Sequence, residues 1–429
     1  MIDTPTGFTM VSLGCPKNLV DSEYICEHLI QAGYALKRDA DEAQVIIVNT
    51  CAFLTTAVEE SIQTLLEYLE AGKTVVCAGC LVSRYGRELL SELPEIRLFA
   101  GPGSYGGLKD ALLRGDRFLV PRFDSVVRRT FCSTGASAYV KLSEGCSNHC
   151  HYCLIPSIRG ELVSKPLAAV LDECRELARQ GVKELILVGQ DIGSYGADLG
   201  LTDGLVRLLP AVAEIEGIAW VRPMYIHPAA VSESLARTMA DNPRICRYIE
   251  MPIQHVSEQV LKAMGRRGGA HAVRQALDLV KEAGIWIRTT LMLGHPGEDE
   301  DSFQELERCV AQGYFDSLGA FTYSPEPGTA SAALPRSDPE EASARLERIM
   351  TLQKEVSRSR LKGFIGQRLP VLLEGFHSET DLLLAGRSTF QAPEVDGQVL
   401  INDGSAPFGT IVTVEIEDAL DYDLLGRIL

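Results

Sequence analysis

Ala138-Tyr-Val-Lys-Leu142-Ser-Glu-Gly-Cys146-Ser-Asn-His-Cys150-His-Tyr-Cys153 reads as a short apolar strand running directly into three closely spaced cysteines. Thiolates are soft ligands suited to iron–sulfur clusters, and a CxxxCxxC spacing lets one loop wrap a cube of iron and sulfur. Three cysteines rather than four would leave one iron open to an outside ligand, as a catalytic zinc keeps an open position. On spacing alone two other readings stand beside it: a zinc site completed by His149 or His151, or a chance grouping.

Outward from this stretch, strand patterns at 138–142, 184–188, 219–225, 248–251, 286–293 and 317–323 alternate with helical ones such as 165–180 and 299–312. Six βα units fit a partial (β/α)6 barrel, whose functional loops lie at the carboxyl ends of the strands. A polar, helix-forming segment at 338–363 then leads out of it.

Upstream, strands are expected at 8–13, 45–48 and 74–76, with helices at 19–32, from a Thr56/Glu59 capping box to Gly72, and at 84–92. This is the rhythm of an open, doubly wound α/β sheet. No GxGxxG follows its first strand, so a dinucleotide site has no support. Cys15, Cys51 and Cys80 each follow one of these strands, and in such a sheet the loops beyond the strand ends converge on one crevice. They are either a second set of cluster ligands or small core residues. Cys77-Ala-Gly-Cys80 has redox CxxC spacing, but Cys77 ends the strand and is expected to pack inside. Cys26, Cys132, Cys174, Cys246 and Cys309 stand singly and read as ordinary thiols.

Beyond 115–137, a connector with several arginines, and the barrel, the texture changes once more. From 367 to 429 short alternating strands, for example 369–373 and 410–416, are separated by turns at Asp396-Gly397 and Asp403-Gly404, which suggests a small all-β barrel. That segment carries three Arg and no Lys against eleven Asp and Glu, a net of −8 out of −17 for the 429 residues. The balance argues against direct nucleic-acid binding and favours a basic partner. No apolar run approaches the ~18 residues of a membrane span, and 1–14 lacks the pattern of a secretory signal. A cytoplasmic protein is expected, its twelve cysteines ligands or core residues rather than disulfides. The whole is a multidomain α/β chain with divisions at 1–120, 130–365 and 366–429.

The words themselves are similar to a known family. Val11-Ser-Leu-Gly-Cys-Pro-Lys-Asn-Leu-Val-Asp-Ser-Glu23, Asn49-Thr-Cys51 and Glu144-Gly-Cys146 through Cys153-Leu-Ile-Pro-Ser-Ile-Arg-Gly160 resemble the methylthiotransferase family of radical S-adenosylmethionine (SAM) enzymes, over essentially the whole chain. The resemblance implies an N-terminal methylthiotransferase domain, a radical SAM barrel and a C-terminal TRAM barrel. It implies two 4Fe–4S clusters, one on Cys146, Cys150 and Cys153 that binds SAM, and an auxiliary one on Cys15, Cys51 and Cys80.

Within the family, the Gly14-Cys-Pro-Lys-Asn18 form, Pro252-Ile-Gln-His255, Val260-Leu-Lys-Ala-Met264 and Phe321-Thr-Tyr-Ser-Pro325 resemble the branch that modifies an aspartate of ribosomal small-subunit protein twelve. Pro223-Met-Tyr-Ile-His-Pro228 and His295 depart from the commoner words. The alternatives are a tRNA adenosine methylthiotransferase of the same family and, in another class, an iron–sulfur scaffold or carrier. The resemblance implies reductive cleavage of SAM to a 5′-deoxyadenosyl radical, hydrogen abstraction from the aspartate β-carbon, a sulfur donor, and an electron donor such as a flavodoxin or ferredoxin. Gly189, Gln190 and Asp191 would meet the methionine amine of SAM, and Gly294, with Gly297, would admit its adenine; plain turn glycines are the alternative. Arg159, Arg222 and Arg288 are candidates for its carboxylate. His227, His255 and His295 lie at strand ends and read as structural or supporting.

Overall fold

The computed structural model describes residues 6–120, 129–130, 135–335 and 337–429. Cys132 and most of the connector expected at 115–137 lie outside the described residues.

The N-terminal domain is a six-stranded sheet in the order β2-β1-β3-β4-β5-β6, parallel throughout. Its strands are β1 (Gly7–Ser12), β2 (Ala35–Leu36), β3 (Val45–Thr50), β4 (Thr74–Gly79), β5 (Leu98–Ala100) and β6 (Phe118–Leu119). Helices α1 (Pro16–Gln31), α2 (Thr55–Glu70) and α3 (Cys80–Glu92) follow β1, β3 and β4. The β-branched run of β3 is buried on both faces, as a central parallel strand requires. The doubly wound expectation holds.

Two local expectations do not. Thr56 and Glu59 form no capping box: α2 begins one residue earlier, Leu54 caps it without a side-chain bond, and the Thr55 N–H donates instead to Glu326 Oε1 at 3.0 Å. A carboxylate 271 positions away thus does the work that a local hydroxyl was expected to do. Helix α3 also starts four residues earlier than its apolar periodicity indicates, at Cys80 itself. Gly79 makes this possible. Its φ is +93°, and a Cβ there would lie 2.3 Å from Asn49 Oδ1.

The central domain has six parallel strands, Ser137–Lys141, Glu184–Val188, Trp220–Pro223, Tyr248–Glu250, Trp286–Leu293 and Ser317–Thr322. They form two three-stranded sheets joined by a parallel bridge between Val221 and Ile245, the expected partial (β/α)6 barrel. Helix Pro339–Lys362 leads out to a closed five-stranded barrel built from Arg368–His377, Thr380–Arg387, Val399–Asp403, Ile411–Ala419 and Leu424–Ile428.

The flanking domains occupy opposite ends of the central barrel. At the start of its second strand, Glu184 receives Arg222 Nε at 2.7 Å and Arg387 Nη2 of the C-terminal barrel at 2.6 Å. Asp396, also C-terminal, takes Tyr248 Oη at 2.7 Å and Arg288 Nη1 at 2.8 Å. At the carboxyl ends, Arg159 Nη1 donates to Asp21 of α1 at 2.9 Å and to Glu144 at 2.8 Å, while Lys141 contacts both carboxylates. One end is plugged; the other is where the sites must lie.

Candidate active site: one cavity between two cysteine sets

Cys15, Cys51 and Cys80 each sit beyond the carboxyl end of a strand of the N-terminal domain. Cys15 is the residue before α1, with Pro16 in the first helical position, and its carbonyl accepts the Asn18 N–H at 2.8 Å. Gly14, at φ +85°, lets this turn approach the next, since a Cβ there would come 2.8 Å from Cys51 Cβ. Asn18 ties the turns together through Nδ2, which donates to Leu13 O at 2.9 Å and Thr50 O at 2.8 Å. Cys51 is held by Ser61, which accepts its N–H at 3.1 Å. Cys80 opens α3, and Arg159 Nε donates to its sulfur at 3.2 Å.

Burial pushes the Cys15 thiol up, but the charges of Lys17 and Arg159 and the α1 N–H groups outweigh it and leave it below its ordinary value. Burial dominates at Cys51, which is raised, and at Cys80, which is pushed up to about 11 despite Arg159.

Cys146, Cys150 and Cys153 occupy the loop after the first barrel strand. Each sulfur has a donor: Asn148 Nδ2 at 3.4 Å from Cys146, Arg266 Nη1 at 3.7 Å from Cys150, and the Ile155 N–H at 3.4 Å from Cys153. Burial raises Cys146, and pushes Cys153 up to about 12. The histidines a zinc site would need are engaged elsewhere. His151 Nδ1 bonds Ala263 O at 3.0 Å, and His149 faces Glu161 at 3.4 Å on the surface. Among the described residues no three His, Cys, Asp or Glu side chains converge on a single ion.

All six cysteines line one cavity of about 530 Å³ between the two domains. Of the residues expected around SAM, Gln190 and Asp191 reach it, and Gly189 and Gly294 do not line it. Asp191 is fixed by Asn148 Nδ2 at 2.8 Å, Ser194 Oγ at 2.7 Å and the His227 N–H at 3.2 Å. Gly294 turns the chain under the exit helix, where a Cβ would meet Ala342 Cβ at 2.5 Å. The arginine candidates need correction. Arg222 and Arg288 are spent on Glu184 and Asp396 at the plugged end, and Arg159 reaches the cavity wall but is committed to Asp21, Glu144, Asn18 and Cys80.

His227 lines the cavity. Burial holds its ring neutral, its pKa down to about 2, and since Nδ1 accepts the Ala229 N–H the proton sits on Nε2. His255 and His295 are buried and bonded to Ser257, Pro296 and Ser331, as supporting residues would be.

Sequence reasoning missed Lys17, Tyr225, Gln254 and Arg266, all in the cavity wall. Lys17 and Gln254 lie inside stretches quoted for their family likeness and Tyr225 inside one that departs from it, but nothing in the letters marks the direction of these side chains. Tyr225 and Gln254 have φ of +66° and +71°, a backbone state non-glycine residues adopt at some cost and which gathers at functional sites.

The residues suit an iron–sulfur cluster and a polar ligand: soft thiolates with N–H donors at their sulfurs, and two buried polar atoms, Gln254 Oε1 and His227 Nε2, without a hydrogen-bond partner. Comparison with known proteins agrees. Residues 140–310 match the Radical SAM superfamily, 8–101 the Uncharacterized protein family UPF0004, and 365–429 the TRAM domain. In solved structures the fold resembles the radical SAM methyltransferase TsrM from Kitasatospora setae, with a TM-score of 0.58 at 16% identity over 76% of this chain and 77% of that one. The cobalamin-dependent SAM radical enzyme OxsB gives 0.53 at 12% identity, over 81% of this chain and 56% of that one. Fold and site thus define a radical SAM enzyme, which uses SAM and a 4Fe–4S cluster.

Full-length relatives narrow the class. The ribosomal protein uS12 methylthiotransferase RimO of Geobacter sulfurreducens is 41% identical over 98% of both chains, and that of Myxococcus xanthus 42% identical over 99% of this chain and 92% of its own. The chain belongs to this RimO family of radical SAM methylthiotransferases, and is a transferase.

Proposed function

We propose that the protein transfers a methylthio group to the β-carbon of an aspartate in ribosomal small-subunit protein uS12, using SAM and a sulfur donor. The observation that carries this reading is the single cavity shared by cysteine sets from two domains. Cys146, Cys150 and Cys153 would hold the cluster that engages SAM, and Cys15, Cys51 and Cys80 a second one. When bound, such clusters supply the electron that cleaves SAM and an open iron that carries the sulfur.

The chain's own residues position and shield. Asp191, held by Asn148 and Ser194, presents a fixed carboxylate to the methionine amine, with Gln190 beside it. His227 offers a neutral N–H, and the apolar side chains of Phe53, Leu54 and Ile155 line the same cavity and limit water. The division of labour follows the domains at 1–120, 130–365 and 366–429. The acidic C-terminal domain, at −8, suits a basic ribosomal protein rather than tRNA phosphates. No helix of the described residues is long and apolar enough to cross a membrane. A cytoplasmic site of action, where thiols stay reduced and a flavodoxin or ferredoxin can donate electrons, fits the cysteine content.

The test is anaerobic incubation of the reconstituted enzyme with SAM, sulfide and reductant, and either uS12 or bulk tRNA. A methylthio mass gain on uS12 is expected. A gain on tRNA alone would overturn the assignment in favour of the tRNA-modifying branch, and no SAM cleavage under strong reduction would favour a cluster carrier.

A further inference from the structure

Seven Lys and Arg side chains are buried among the described residues: Lys17, Arg129, Lys141, Arg159, Arg222, Arg345 and Arg387. Six have a carboxylate within ion-pair distance, namely Glu23 for Arg129, Asp21 for Lys141 and Arg159, Glu184 for Arg222 and Arg387, and Glu298 for Arg345. Lys17 is the exception among them. It is 7% exposed, lines the cavity, and its Nζ lies 3.5 Å from the centroid of the Tyr225 ring. The nearby carboxylate, Glu250, is turned to the Tyr225 N–H at 3.1 Å. A buried cation with no carboxylate at ion-pair distance is left to the cation–π contact and to the longer-range fields of Cys15 and Glu250. Tyr225, whose ring makes this contact, has a φ of +66°. The ammonium thus lines the cavity with no carboxylate in direct contact.

We propose that Lys17 is a specificity residue of the transfer reaction, binding the side-chain carboxylate of the acceptor. This rests on the reading above that the acceptor is an aspartate. Position favours the acceptor over the other carboxylate in the reaction, that of SAM. Lys17 stands two residues from Cys15 on the N-terminal wall, whereas Gln190, Asp191 and Arg266 gather on the barrel wall by Cys146 and Cys150. A lone ammonium next to Glu250 also matches a monoanion better than a run of phosphates. The substrate carboxylate would sit between the two cysteine sets, with its carbon chain directed toward both.

The experiment uses the full-length, cluster-loaded enzyme, with uS12 and uS12 whose target aspartate is replaced by asparagine. Binding is measured by anisotropy without SAM, and transfer by mass gain. The wild-type enzyme should prefer the aspartate form about 10- to 100-fold, the range of one charged hydrogen bond. Lys17→Met should collapse that preference to less than about threefold, with iron content and SAM binding measured on the same preparation. Lys17→Arg should restore part of it. An unchanged preference in Lys17→Met overturns the proposal; weaker SAM binding with the preference intact assigns Lys17 to the SAM carboxylate instead. Should Lys17→Met lose iron, the wild-type comparison of the two uS12 forms decides alone, and equal binding of both overturns the inference. If wild-type enzyme modifies tRNA and not uS12, the functional reading itself has failed and this one falls with it.

Discussion

The two cysteine sets face the same cavity but are assembled in different ways. Cys146, Cys150 and Cys153 come from one loop of eight residues, so their proximity is a property of the sequence. Cys15, Cys51 and Cys80 come from three turns that meet only because β1, β3 and β4 are adjacent and parallel in the sheet. A local set is fixed by spacing. A topological set is fixed by everything that holds the sheet and its turns in register. The donors only partly follow this division: Asn148 and Ile155 lie in or beside the local loop, but Cys150 takes Arg266 from 116 positions away, and Cys80 takes Arg159 from another domain.

The largest effect should separate the sets outright. Reconstituted wild-type enzyme is expected to hold about eight irons per chain, and replacing either set by alanine to leave about four. Both triple variants lose methylthio transfer. The variant carrying Cys15→Ala, Cys51→Ala and Cys80→Ala should still cleave SAM, whereas Cys146→Ala with Cys150→Ala and Cys153→Ala should not. Iron analysis with a 5′-deoxyadenosine assay checks this, and full iron in the first variant would remove the second cluster from the account.

How far the sequence could be read follows from the same contrast. The barrel strands were legible because apolar runs alternate with helical periods, and the local cysteine loop because its letters are contiguous. The topological set was legible only through the rule that parallel strands send their turns to one side. What could not be read is what depends on distant partners. Glu326 caps α2 in place of Thr56, Asp396 takes Arg288 away from the cavity, and Lys17 and Tyr225 meet across a domain boundary. No window of sequence contains both members of such a pair.

The next largest effect tests the link between the sets. Arg159 is 1% exposed and bonds Cys80, Asp21 and Glu144, from both domains. Arg159→Met would leave two buried carboxylates to Lys141 alone, and the loss of one partner in such a network costs about 3–5 kcal/mol. Chemical denaturation should show that loss. If the comparison is right, iron loss in this variant should fall first on the Cys80 set, leaving SAM cleavage in the folded fraction.

The plugged end of the barrel gives an effect that involves no cysteine ligand. Burial alone would raise Glu184, but Arg387 and Arg222 hold its carboxyl down at about 2, below its ordinary 4.5. Between those values the unfolded chain binds the proton and the folded chain does not. The stabilisation is therefore complete above about pH 4.5, is lost as pH falls toward 2, and amounts to about 3 kcal/mol. Stability measured against pH should fall more steeply over that window in wild type than in Glu184→Gln, which has no proton to take up.

The smallest effect sets the limit of the topological set. Cys77 lies three residues before Cys80 in the same CxxC, yet it is wholly buried within β4, packed with Ile46, Val48 and Phe99, and burial pushes its thiol up to about 12. A sulfur so placed is a core atom, and no turn delivers it to the cavity. Cys77→Ala should cost about 1 kcal/mol in denaturation and leave both iron content and transfer unchanged. A halved iron content would mean that the strand, rather than the helix start beyond Gly79, supplies the third ligand. The register of β4 against β3, which pairs Cys77 with Val48 inside the sheet and Gly79 with Thr50 at its end, argues that it does not.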